Sequence, residues 1–91
     1  MTQILWNSKA PHSRISNHEM IELRLVDLGK GRKLRYLVRE IRASWSAAAQ
    51  QIEWKGFDDE AYGTRVEALR GFESRKASRM DAGFDSTTVL N

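Results

Sequence analysis

The residues with the most chemical potential in this 91-residue chain lie in one basic stretch. Between Lys30 and Arg42 stand Lys30, Arg32, Lys33, Arg35, Arg39 and Arg42 against the single acid Glu40. Six cations less one anion give +5 locally, in a chain whose formal net charge is only +3. Such a concentration suits a polyanionic surface, although a solvated face that keeps a small protein soluble produces the same count. Asp58, Asp59 and Glu60 form the compact acidic counterpart. Consecutive acids could serve as proton-transfer groups or magnesium ligands. Placed ahead of a helix, they are better explained by its positive end and by nearby Lys or Arg.

Other sites are ruled out by residue type or spacing. The chain has no Cys, which removes disulfides, thiolate metal sites and thiol nucleophiles together. His12 and His18 are six apart, with no further ligands at matched spacing. Gly29-Lys30-Gly31 lacks the spacing and strand–loop–helix setting of a phosphate loop and reads as a turn. No catalytic, metal or cofactor site emerges, so a non-enzymatic binding role is expected. No apolar run approaches the roughly 20 residues of a membrane span, and Met1 to Ser16 has no signal pattern. A cytoplasmic location is expected.

The elements that must position the basic residues follow from hydrophobic periodicity. Hydrophobic residues make up 41% of the chain, enough for a folded core. Ile21, Leu23 and Leu25 alternate with Glu22, Arg24 and Val26, which predicts a strand over Met20–Leu28. Gly29 to Gly31 then turns the chain as a hairpin would. From Arg32 to Trp54 two readings compete. As a strand, Lys33, Arg35, Leu37 and Arg39 share one face, and Leu34, Tyr36 and Val38 the other. As a helix, Leu34, Leu37, Val38, Ile41, Trp45, Ala48 and Ile52 align, and the Ser46-Ala-Ala-Ala-Gln-Gln run has helical propensity. The capping box Thr64-Arg-Val-Glu67 opens the most secure helix, Arg65 to Met80, with Gly83 as its stop.

The segment from about Glu19 to Met80 resembles the YegP-like family, small bacterial proteins built on a domain of unknown function. The residues that carry the likeness are Tyr62-Gly63-Thr64-Arg65 and the run from Ala68 through Gly71-Phe72-Glu73-Ser74 to Lys76. Leu34 to Arg39 and Gln51 to Gly56 are similar to the second and third strands of that family. The family usually has a tight turn between those strands, where this chain has a longer Ala/Ser link from Ala43 to Gln50. Members often carry the unit twice; here it occurs once.

The resemblance implies an α+β domain in which a three-stranded antiparallel sheet carries one main helix on one face. The strands are expected near Met20–Leu28, Leu34–Ile41 and Gln51–Lys55. Residues 1–18 are expected as an arm, 19–82 as the domain and 83–91 as a tail. The expected core is Ile21, Leu23, Leu25, Tyr36, Val38, Trp54, Val66, Leu69 and Phe72. With the helix on one face, the free face would present Lys33, Arg35 and Arg39 along a strand whose successive like-facing residues stand about 6.6 Å apart. Arginines so placed can contact phosphates and base edges.

The expected binding residues are Lys30, Arg32, Lys33, Arg35, Arg39, Arg42 and Trp45. Their partner is expected to be nucleic acid. The alternative is a protein of a nucleic-acid-handling machine, bound and inhibited by a phage or mobile-element protein as in inhibition of a CRISPR complex. No membrane and no cofactor are expected. An exposed sheet edge predicts a homodimer.

Overall fold

The computed structural model describes residues 1–7, 18–46 and 48–90. Its elements run β1 (Thr2–Asn7), β2 (His18–Asp27), β3 (Tyr36–Ser46), β4 (Gln51–Tyr62), α1 (Arg65–Asp81) and β5 (Phe84–Leu90). The strands form one antiparallel sheet in the order β4-β3-β2-β1-β5. The fold is α+β with one C-terminal helix on an antiparallel sheet, as expected, but the sheet has five strands instead of three. Both extra strands come from segments read as arm and tail. Short apolar knots, Ile4-Leu5-Trp6 and Val89-Leu90, carry too little alternation to announce a strand alone. Each becomes one by pairing with a neighbour.

Pairing also decides the ambiguous stretch. Every residue of β3 from Tyr36 to Trp45 is matched to β2, and the whole strand is matched to β4. A helix there would forfeit two ladders of backbone hydrogen bonds, so tertiary pairing overrides the helical periodicity. The link to β4 turns through Gln50, held at φ 56°.

β4 and β5 lie at opposite edges of the sheet, so the chain between them must cross a face, and α1 makes that crossing. Thr64 caps the helix by accepting from the Glu67 N–H at 3.3 Å, and its hydroxyl donates to the Glu67 carboxylate at 2.9 Å. Ala68 and Phe72 are fully buried against Leu5, Ile21, Leu23 and Val38. One turn or two further on, the same helix face presents Arg75 and Arg79 to the buried Glu40 of β3. Arg79 donates twice to that carboxylate, at 3.0 and 3.3 Å, and Arg75 stands 3.6 Å away. A carboxylate this buried is tolerable only with such partners.

Of the expected core, Ile21, Leu23, Val38 and Phe72 are buried, and Leu25 and Tyr36 pack against them. Trp54 and Val66 are corrections: they are 61% and 59% exposed. Val66 sits in the first helical turn, away from the Ala68–Phe72 stripe. Trp54 is displaced by a bulge, described below. No helix among the described residues is long and apolar enough to cross a membrane.

Candidate partner-binding surface

Since α1 covers one face of the sheet, the register defines the other. Along β3, Tyr36, Val38 and Glu40 point to the helix, so Leu37, Arg39, Ile41, Ala43 and Trp45 point away. Their partners share that direction: Arg24 lies opposite Arg39 on β2, while Asp59, Phe57, Trp54 and Ile52 lie opposite Arg39, Ile41, Ala43 and Trp45 on β4.

The sheet would not place Phe57 and Trp54 on one face by strict alternation, because they are three apart. A bulge makes it possible. The β3–β4 register shifts between Arg42 and Ala43, so that Arg42 faces Gly56 and Ala43 faces Trp54, with Lys55 as the extra residue. Gly56 holds φ 144°, a value that side-chain-bearing residues rarely adopt. The bulge brings Arg39, Ile41, Trp54, Gly56 and Phe57 around a shallow groove of about 300 Å³. Trp54 is 61% exposed, Phe57 58% and Ile52 42%. Trp45, one of the expected binding residues, is half-buried on this face.

The basic row lands differently from its expected arrangement. Arg39 does lie on the free face, but its guanidinium is clamped by Asp59 through two bonds of 2.7 Å. It also stacks over the Phe57 ring, 4.6 Å from the centroid. The hydrogen bonds to Arg39 hold the Asp59 carboxyl below its usual range, and the same bonds raise the guanidinium. Arg35 is occupied in the same manner. It donates twice to Asp27 at 2.7 Å, and its hydrogen bonds, with that from the Gly29 N–H, pull the Asp27 pKa down to about 2. Arg24 bonds Glu22 at 3.0 Å. Arg42 points to the helix side, opposite Gly56. Lys30, Arg32 and Lys33 are exposed in the β2–β3 connection and make no ion pair among the described residues. The seven expected residues therefore occupy three places: a basic hairpin tip, the free sheet face and the helix side of the sheet.

Asp58, Asp59 and Glu60 lie within β4, well ahead of the helix. Asp59 engages Arg39 on the free face, while Glu60 bonds Arg75 at 3.2 Å on the other. Among the described residues no group of His, Asp and Glu is placed to hold a metal ion. His12 lies outside the described residues, and of His18 only the backbone in β2 is described.

Sequence reasoning missed Ile41, Ile52, Trp54 and Phe57 as a surface. The available signal was Gly56 within a strand-like run, a mark of a bulge, which changes the face of every residue beyond it. Compared with protein-family models, with curated proteins and with solved structures, the chain matches none.

Proposed function

We propose that this is a non-enzymatic binding protein that docks a protein partner on its uncovered sheet face. The observation that carries the reading is the pair Trp54 and Phe57, both more than half exposed on one face beside Ile41. Large aromatics at low entropy cost are the usual anchors of protein interfaces. An exposed cluster of them marks an interaction site more often than an accident of packing. Charge favours a protein over a nucleic acid at this patch. On this face Arg39 is held by Asp59 and Arg24 by Glu22, so each of these cations already has its own acid. A phosphate backbone would find little unpaired positive charge beside Trp54 and Phe57, whereas exposed aromatic rings suit a protein surface.

The sequence suggests two sources for that partner, a protein of a nucleic-acid-handling complex or a second copy of this chain. Inhibition of such a complex, as a phage protein inhibits a CRISPR machine, would use this surface. The order β2, β3, β4, α1 agrees with the unit implied by the YegP-like resemblance, and β1 and β5 lie outside it.

A second reading has its own observation. Lys30, Arg32 and Lys33 are solvent-exposed without acidic partners among the described residues, so the hairpin tip is free to meet phosphates. The two readings separate in one pull-down from nuclease-treated lysate with three baits: the parent, W54S/F57S, and K30Q/R32Q/K33Q. The patch reading expects protein bands that survive nuclease and disappear only with W54S/F57S. Bands that vanish with nuclease, or only with the triple Gln variant, would move the function to the tip.

A further inference from the structure

On the helix side of the sheet, beyond the last turn of α1, lies a second cavity of about 400 Å³. Arg42 and Ser44 of β3, Lys55 of the β4 bulge, Arg79 of α1, Phe84 of β5 and Glu19 of β2 are among the residues that line it. Three cations against one carboxylate leave the lining at +2. These cations are not equally occupied. Arg79 is held by Glu40 and stacks over Phe84, 5.8 Å from the ring centroid. Lys55 stands 3.6 Å from Glu53. Arg42 makes no ion pair among the described residues.

Two details mark the cavity as a built site. Arg42 lies opposite Gly56, and a Cβ on Gly56 would stand 3.3 Å from an Arg42 terminal nitrogen. The glycine that creates the bulge thus also leaves the guanidinium its space. Ser44 is only 6% exposed, and its Oγ is buried with no hydrogen-bond partner. Buried hydroxyls are normally satisfied, and Ser44 stands on the wall of a cavity whose other polar groups are mostly cationic.

We infer that this cavity binds a small organic oxyanion. The Arg42 fork supplies paired N–H donors of the geometry that carboxylates and phosphates accept. Ser44 donates its hydroxyl, and Lys55 adds a mobile charge at the mouth. Ile21 and Phe84 offer an apolar wall for the body of the ligand. The site lies on the face opposite Trp54 and Phe57 and does not depend on the protein-docking reading.

The test is a titration of the isotopically labelled full chain, followed by amide chemical shifts, with phenyl phosphate, benzoate and inorganic phosphate as probes. Phenyl phosphate and benzoate distinguish a phosphate from a carboxylate head. Inorganic phosphate, which lacks the apolar body, should bind more weakly than phenyl phosphate. The expected result is saturable shifts centred on Arg42, Ser44 and Lys55 with at least one aromatic probe. R42Q should weaken that binding at least tenfold and S44A several-fold, while R70Q, on the exposed side of α1, leaves it unchanged. Arg42 is exposed, so its variant should retain the parent spectrum elsewhere. Shifts that grow linearly without saturation, that centre on Lys30 to Lys33, or that persist undiminished in R42Q would overturn the assignment.

Discussion

The Arg39 guanidinium lies between the Asp59 carboxylate, bonded twice at 2.7 Å, and the Phe57 ring. One cation of the free face is thereby spent on the structure of the patch itself. If the chain has any affinity for nucleic acid, Arg35 and Arg39 should contribute little to its salt dependence, and Lys30, Arg32 and Lys33 should contribute most. Each lost phosphate contact lowers the slope of log K against log salt by about 0.7 to 0.9. In fluorescence anisotropy with a labelled oligonucleotide, R35Q/R39Q should keep the parent slope and K30Q/R32Q/K33Q should flatten it. The reverse pattern would show that the ion pairs open on binding.

Gly71 has a different kind of neighbour. A Cβ built there would overlap the Tyr62 side chain, with Cζ only 2.6 Å away. In an exposed helix G71A would stabilise by about 1 kcal/mol. Here it must push Tyr62 off the helix, and overpacking of this kind costs about 1–3 kcal/mol. Urea denaturation should show G71A to be less stable than the parent. A truncated neighbour, in Y62A/G71A, should make the second substitution cheaper than it is alone.

The buried Glu40 depends on two arginines of α1. R79M removes the two direct hydrogen bonds and leaves Arg75 at 3.6 Å as the remaining partner. Loss of bonds to a charged, buried group should cost about 1.5–3 kcal/mol. E40Q/R79M should recover part of that loss, because no uncompensated charge is left behind. Equal stability of R79M and the parent would mean that Arg75 alone satisfies Glu40.

Asp27 gives a pH signature. Its pKa is drawn from the ordinary 3.8 to about 2 by Arg35 and the Gly29 N–H. An acid whose folded pKa is depressed binds its proton more weakly when folded. Its stabilising contribution is therefore present above pH 3.8 and is lost as pH falls towards about 2. Asp59, lowered chiefly by Arg39, acts in the same direction. The difference in thermal midpoint between the parent and D27N should be constant above pH 5 and shrink between pH 4 and 2. A difference that does not change with pH would contradict the assignment.

How much of this could be read from the residues alone varies along the chain. The helix was legible because its signals are local: Thr64 and Glu67 cap it and Phe72 anchors it within two turns. β2 was legible because Ile21, Leu23 and Leu25 bury one face while Glu22 and Arg24 stay out. β1 and β5 were not, since each exists only through partners far away in sequence. The basic row was visible as composition, but the acids that neutralise Arg35 and Arg39 lie eight and twenty residues away. No spacing rule announces those pairs. Trp54 was expected in the core as a large aromatic on a strand, and the bulge at Lys55 and Gly56, which sets its face, is not announced by composition.

The central claim is that the patch around Trp54 and Phe57 is a protein-docking surface, and photo-cross-linking tests it most directly. A photoreactive p-benzoylphenylalanine placed at Phe57 would be irradiated in producing cells and compared with the same residue at Glu73, on the exposed side of α1. The account expects a discrete, nuclease-resistant protein adduct at position 57 that is absent at position 73 and abolished by W54S. Twice the chain's mass would identify that partner as a second copy. No adduct at 57, or adducts of equal yield at both positions, would contradict the claim.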